Sequence, residues 1–207
     1  MISNFAQSFY NQSVNLLYGV GFFGEMIQFI LVASFLFFSP AVAKESTALF
    51  AVFAVGFMLS SWLNKVLKLW LKQPRPSGQL TFLASEHFMY RGPEKYGMPS
   101  GHAQGVFYCV AFLFFTGVRF ALLKNGSSSG ICGLNFRTVF TLSLAMALIT
   151  LYQRWHFRNH TTGQLLVGAA VGCSVAALVY FLYVHLLSDS VLSGSGTRGT
   201  WMESWID

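Results

Sequence analysis

Three short clusters of chemically capable residues stand in order along the chain. They are Lys68 followed after six residues by Arg75-Pro76, then Pro99-Ser100-Gly101-His102, then Arg154 followed after five residues by His160. Two guanidinium groups and an ammonium can surround the three oxygens of a phosphoryl group and take up the charge that grows as a bond to phosphorus breaks. Two histidines can divide the remaining work, one attacking phosphorus and the other giving a proton to the departing oxygen. A helix starting at Ser100 offers backbone N–H groups to an anion, and Gly101 lets phosphate approach the backbone closely.

Each cluster also has a plainer reading. Lys65, Lys68 and Lys72 share one helical face at the end of an apolar run, where lysines snorkel to lipid headgroups. That accounts for Lys65 and Lys72. Lys68 is set apart by its spacing to Arg75, because Pro74 and Pro76 stop the helix and let Arg75 fold back. Pro99-Ser100-Gly101-His102 alone is an ordinary helix start with a serine cap. His160 alone could be an interfacial histidine, as His87 and His185 are read, and His156 is either interfacial or a partner of His160.

The elements that must position these residues are membrane spans. Of 207 residues, 54% are hydrophobic and only 10% charged, far more apolar than a soluble domain requires. Apolar runs predict an all-α bundle of about five crossings, at Val20–Phe38, Ala48–Trp70, Ala103–Leu123, Thr138–Tyr152 and Leu165–Leu187. Ahead of them, Asn4–Tyr18 mixes Phe and Leu with Gln and Asn and reads as a helix lying in the membrane surface, with a sixth span as the competing reading. No basic region, short apolar core and small-residue cleavage site opens the chain, so its start is expected to be retained. Residues 1–187 are expected to form one membrane-embedded domain, and 188–207, rich in Ser, Gly and charge, a flexible polar tail. Cys109, Cys132 and Cys173 are too scattered for a disulfide framework.

With alternating crossings, Lys68 and Arg75 close the second span, His102 opens the third, and Arg154 and His160 join the fourth to the fifth. All three clusters then fall on one side of the membrane. That face carries Lys65, Lys68, Lys72, Arg75, Arg91, Lys95, Arg154 and Arg158, and the other carries Lys44, Arg119, Lys124, Arg137 and Arg198. Setting aside Lys68, Arg75 and Arg154, which have a chemical reason to be there, leaves five against five. The positive-inside rule is therefore silent on orientation.

Together the motifs resemble the type 2 phosphatidic acid phosphatase superfamily, whose signature is Lys-x6-Arg-Pro, Pro-Ser-Gly-His and Ser-Arg-x5-His-x3-Asp. The resemblance runs from about Trp62 to Gly172 and departs twice, with Gln153 at the serine position and Gln164 at the aspartate position. It implies that His160 is the nucleophile, forming a phosphohistidine, and that His102 is the general acid. It also implies that Lys68, Arg75, Ser100, Gly101 and Arg154 bind phosphate without a metal or other cofactor. No carboxylate cluster suited to Mg²⁺ accompanies the motifs.

Within the superfamily the chain is most similar to the dolichyldiphosphatase branch, which shares Lys95-Tyr96-Gly97-Met98-Pro99-Ser100, a glutamine at Gln104 and the His160-x3-Gln164 ending. On a helix Gln164 lies on the same face as His160, four residues on. Its carbonyl oxygen could take the proton-bearing ring nitrogen and leave the other aimed at phosphorus. The expected function is hydrolysis of a lipid diphosphate, favouring polyprenyl diphosphate (dolichyl or undecaprenyl), in recycling of a glycan carrier lipid. Partners are then the bilayer and a phosphorylated lipid, with no nucleic acid, and the resemblance implies a lumenal or periplasmic site. Phosphatidate or phosphatidylglycerophosphate hydrolysis and phosphate transfer are the nearer alternatives, and a silent lipid-binding protein is the distant one.

Overall fold

A computed structural model describes residues 2–38, 46–78, 92–123 and 136–186, with side chains from Asn11 onward in the first helix and up to Arg119 in the third. The 188–207 tail, the 124–135 loop with Cys132, and the part of the 77–96 connection holding His87 and Arg91 lie outside the described residues. Among the described residues there are five long helices, α1 (Ile2–Phe38), α2 (Ser46–Leu71), α3 (Gly101–Leu123), α4 (Phe136–His156) and α5 (Thr162–Leu186), with a short 3-10 turn at Gly92–Lys95. Each of the five contains a stretch long and apolar enough to cross a membrane. The chain is an all-α transmembrane bundle.

One expectation needs correction. Asn4–Tyr18 is not a separate surface helix but the first half of α1, which runs unbroken for 37 residues. No proline interrupts the sequence there, so nothing stops the helix. At 1.5 Å per residue α1 is about 55 Å long, nearly twice a hydrocarbon core of about 30 Å. Its middle is held by the bundle: Tyr18 is buried and meets Phe157 edge to face at 5.0 Å.

Helix α3 is the central post, with 67% of its span buried in the protein against 22–39% of the other four. Its closest neighbour is α5, which approaches through Gly168 and Gly172. A Cβ on Gly172 would run into the Gln104 carbonyl, and one on Gly168 into the Ser100 carbonyl. The apolar core, built on Leu36, Leu49, Phe53, Tyr108, Phe112 and Tyr183, fills the half of the bundle away from the three motifs. Among the polar groups buried in the bundle, Gln28 donates to Ser143 Oγ at 2.7 Å and to the Val106 carbonyl at 3.0 Å, tying α1 to α4 and α3. Trp62, Trp70, Tyr152 and Trp155 point outward, as aromatic side chains do at a membrane surface.

Helix ends at the motif side follow from sequence. Helix α2 stops at Leu71; Lys72 adopts a left-handed φ of 48°, and Pro74 and Pro76 prevent continuation. Ser100 caps α3, its hydroxyl accepting from Ala103 N at 3.4 Å. Helix α5 opens with a reciprocal capping box, in which Gln164 N donates to Thr161 Oγ1 at 3.3 Å and Thr161 N donates to Gln164 Oε1 at 3.2 Å. These three ends converge with the end of α4 at His156, so all three motifs meet on one side of the bundle.

Candidate active site

The motifs surround a cavity of about 320 Å³ between α1, α2, α3 and the α4–α5 turn. Lys68, Arg75, Gly101, His102, Arg154 and His160 all line it. Ser100 and Gln164 stand behind this wall, both essentially inaccessible. The Ser100 backbone N–H donates to the Gln164 carbonyl at 3.1 Å, tying the start of α3 to the start of α5, while its hydroxyl accepts from Ala103 N.

His160 sits in the five-residue turn after α4 and is only 4% exposed. The turn is wound tightly onto Arg154, whose carbonyl accepts from Asn159 N at 3.0 Å and His160 N at 3.3 Å. His160 Nδ1 lies 2.9 Å from the Gly97 carbonyl and 3.3 Å from Gln164 Oε1. A backbone carbonyl can only accept, so Nδ1 carries the proton and Nε2 keeps a lone pair. The orientation of the Gln164 amide is set independently. Its Nε2 donates to the Pro74 carbonyl at 2.9 Å and to Gln73 Oε1 at 3.1 Å, while its oxygen receives the Thr161 N–H. Gln164 Oε1 thus lies beside the proton-bearing nitrogen on the face the spacing suggested, but the shorter contact is to Gly97, and Gln164 also caps α5.

Nε2 of His160 faces Arg75, whose Nη1 is 3.3 Å away. Burial pushes the His160 imidazole well below the ordinary histidine range, and the cations Arg75, Arg154 and Lys68 add to that, against a smaller opposite pull from the Gly97 carbonyl. A neutral imidazole beside clustered cations is a nucleophile suited to an anionic electrophile.

Arg75 is fixed through its backbone neighbours and its own donors. Nη1 donates to the Asn159 carbonyl at 3.1 Å, and Nε and Nη2 donate to the Glu94 carbonyl at 3.1 and 2.9 Å. Lys68, 2% exposed, pairs with the Glu94 carboxylate at 2.5 Å. Pairing across the Pro74 and Tyr96 backbones, with Gly97 N donating to the Gln73 carbonyl at 2.8 Å, ties the 92–97 segment to the end of α2.

Arg154 and His102 meet α1. The Arg154 guanidinium lies over the Phe22 ring at 5.3 Å, and the same ring is 6.0 Å from His102. The residue before Arg154, Gln153, is wholly buried against Gly21, and neither polar atom of its amide has a hydrogen-bond partner among the described residues. Arg154 is therefore held by an aromatic face of α1, not by its neighbour in sequence.

Sequence reading did not single out four contributors. Glu94 reaches the cavity from the connection just ahead of the Lys95–Ser100 motif, whose pattern does not include it. Glu25, packed against Gly105, lines the cavity and was legible only as a lone acid inside an apolar run, itself a functional signal. Phe22, three residues before Glu25, looked like any lipid-facing aromatic. Asn64, one turn before Lys68, donates to Gln104 Oε1 at 2.8 Å, while Gln104 Nε2 donates to the Ser60 hydroxyl at 2.9 Å, bracing α2 against α3. Lys65 also lines the cavity. His156 does not, stacking instead on Tyr152 at 5.5 Å. Among the described residues no three His, Cys, Asp or Glu side chains gather so as to hold a metal ion.

A helical membrane bundle whose cations, histidines and capped turns converge in this way defines a class. Residues 47–188 match the model of the PAP2 superfamily, and the chain belongs to that superfamily. It is 30% identical to the dolichyldiphosphatase of Saccharomyces cerevisiae over 157 residues, covering 74% of this chain and 59% of the relative. It is 28% identical to human dolichyldiphosphatase 1, covering 64% of this chain and 52% of that protein. It is 33% identical to lipid phosphate phosphatase epsilon 1, chloroplastic, of Arabidopsis thaliana, covering 77% and 49% respectively. The chain thus spans about half to three-fifths of the length of these curated relatives. The fold is similar to the crystal structure of a transmembrane PAP2-type phosphatidylglycerolphosphate phosphatase from Bacillus subtilis, with a TM-score of 0.56, 17% identity, and 86% of this chain and 79% of that one covered.

Proposed function

We propose that the chain is an integral membrane phosphatase that removes the terminal phosphate of a lipid diphosphate, with polyprenyl diphosphate as the favoured substrate. The observation that carries this reading is the locked tautomer of His160, which leaves an Nε2 lone pair 3.3 Å from Arg75 in a cavity also lined by Lys68 and Arg154. The terminal phosphoryl group would lie among Lys68, Arg75 and Arg154, with Gly101 at its edge. His160 Nε2 attacks phosphorus, the bond to the bridging oxygen breaks, and His102 protonates that oxygen as lipid monophosphate leaves. Water then attacks the phosphohistidine, His102 takes its proton, and inorganic phosphate departs with His160 restored. No step needs a metal or cofactor.

The similarity to dolichyldiphosphatases supports a polyprenyl substrate, and Lys65 on the cavity wall supplies an ammonium within reach of a second phosphate. In this reading residues 1–187 act as one domain with 188–207 as its tail. The site faces the lumen of the endoplasmic reticulum in a eukaryote or the periplasm in a bacterium. A second reading, hydrolysis of a phosphomonoester such as phosphatidate or phosphatidylglycerophosphate, is favoured by Glu25, whose carboxylate on the same wall suits a leaving hydroxyl better than a leaving phosphate. Phosphate release by the purified protein from polyprenyl diphosphate, phosphatidate and phosphatidylglycerophosphate separates the two. Fastest release from the diphosphate supports the first, fastest release from a monoester supports the second, and lipid binding without release removes both.

A further inference from the structure

Glu94 stands where an anionic substrate must go. Its carboxylate is paired with Lys68 at 2.5 Å and lies 3.8 Å from Arg75 Nη2, while its own carbonyl takes the Arg75 Nε and Nη2 donors at 3.1 and 2.9 Å. One residue thus engages two of the three cations that would cradle a phosphoryl group. Lys68 is buried and Glu94 is 46% exposed, so the pair joins a fixed cation to an anion on the solvent side. Removing an anion from a buried ammonium is costly unless another replaces it.

From this geometry we infer that Glu94 is an internal anion that occupies the phosphate cradle until substrate displaces it, and that it screens the site against phosphodiester headgroups. This inference rests on the phosphate-cradle reading of Lys68 and Arg75. The physical basis is a comparison of charges. A phosphodiester carries one negative charge, so replacing the Glu94 carboxylate with it exchanges one charge for another and gains little. A terminal phosphate carries close to two and gains an additional charge against Lys68, Arg75 and Arg154. A cavity at the membrane surface is surrounded by phosphodiester lipids at high local concentration, and a competing carboxylate keeps their weak binding below occupancy. Rejection built from a competing group is a general route to specificity. The same carboxylate re-pairs Lys68 as product phosphate leaves, which limits product inhibition.

Isothermal titration of the purified full chain with inorganic phosphate and with dimethyl phosphate, a soluble phosphodiester, tests the inference. Glu94→Gln should bind both anions roughly three- to fivefold more tightly than wild type, the size expected for losing a half-exposed ion pair. Glu94→Asp, which keeps the charge on a shorter arm, should shift in the same direction by less and guards against a folding defect in the first variant. In mixed micelles, added phosphatidylglycerol should inhibit Glu94→Gln and leave wild type unaffected. Unchanged or weaker anion binding in both variants would overturn the inference and make Glu94 a support for Lys68. Lys68→Gln separates the underlying reading: if wild type and Lys68→Gln bind phosphate equally, the cradle itself is wrong and the inference falls with it.

Discussion

Arg75 Nη1 and His160 Nε2 lie 3.3 Å apart although 85 residues separate them in sequence. Neither is placed by its own helix. Arg75 is in the proline-bounded segment after α2, and His160 in the turn wound back on Arg154, so their meeting depends on the ends of α2, α4 and α5 sharing one side of the bundle. In the proposed mechanism this puts a cation beside the attacking nitrogen.

The state of His160 sets a pH dependence. Because burial and Arg75, Arg154 and Lys68 hold its pKa well below the ordinary histidine range, the neutral imidazole that the proposed attack requires persists as pH falls. The acid limb of the pH–rate profile should therefore lie below pH of about 6.5, the usual histidine value. Gln164→Asp adds a negative charge near Nδ1, favours the imidazolium, and should move that limb to higher pH. Gln164→Ala should lose rate without that upward movement. Titrating turnover against pH for the three proteins checks the sign, and an unmoved limb in Gln164→Asp beside full activity in Gln164→Ala would mean that Gln164 does not act on His160.

Much of this site was legible in sequence because its spacings are local. Lys68 to Arg75 spans one helix end, Pro99 to His102 one helix start, and Arg154 to His160 one turn. Gln164 was also readable, since four residues on a helix return to the same face, although its capping of Thr161 was not anticipated. What sequence did not reveal depends on separate segments meeting. The Gly97 carbonyl has no side-chain signal at all, Phe22 is one of 22 phenylalanines, and Glu94 sits in a connection whose path no periodicity fixes. The surface helix at Asn4–Tyr18 was misread for a related reason: polar residues mark exposure to water, and a helix can leave the bilayer without breaking.

Packing of α5 on α3 carries a stability prediction. Gly172→Val places a branched side chain against the Gln104 carbonyl and must push α5 away from the turn that presents His102. Overpacking of this kind costs about 1–3 kcal/mol. Thermal unfolding in detergent should shift downward and turnover should fall together, whereas Gly163→Ala, with open space around it, should change neither.

Crossing parity can be tested by labelling. In a background lacking Cys109, Cys132 and Cys173, cysteine at exposed Lys95 and at exposed Thr47, at the opposite end of α2, should react with an impermeant thiol reagent from opposite sides of the membrane. Labelling of Lys95→Cys from the lumenal or periplasmic side is the expected orientation. Labelling of both from one side would break the five-crossing arrangement.

Metal removal gives a separate check on the chemistry. Hydrolysis should survive EDTA, and vanadate should inhibit by occupying the Lys68, Arg75 and Arg154 cradle. Activity that collapses with chelator and returns only with Mg²⁺ would require a different mechanism.

The covalent step is the central claim, and trapping the intermediate tests it most directly. Wild type quenched during turnover of a lipid diphosphate labelled at its terminal phosphate should carry an acid-labile, alkali-stable label that maps to His160. His160→Ala should carry none and lose at least about a hundredfold in rate, while His102→Ala should still form the labelled intermediate, more slowly, with the larger loss on poor leaving groups. Undiminished turnover in His160→Ala, or label on another residue, would contradict the account.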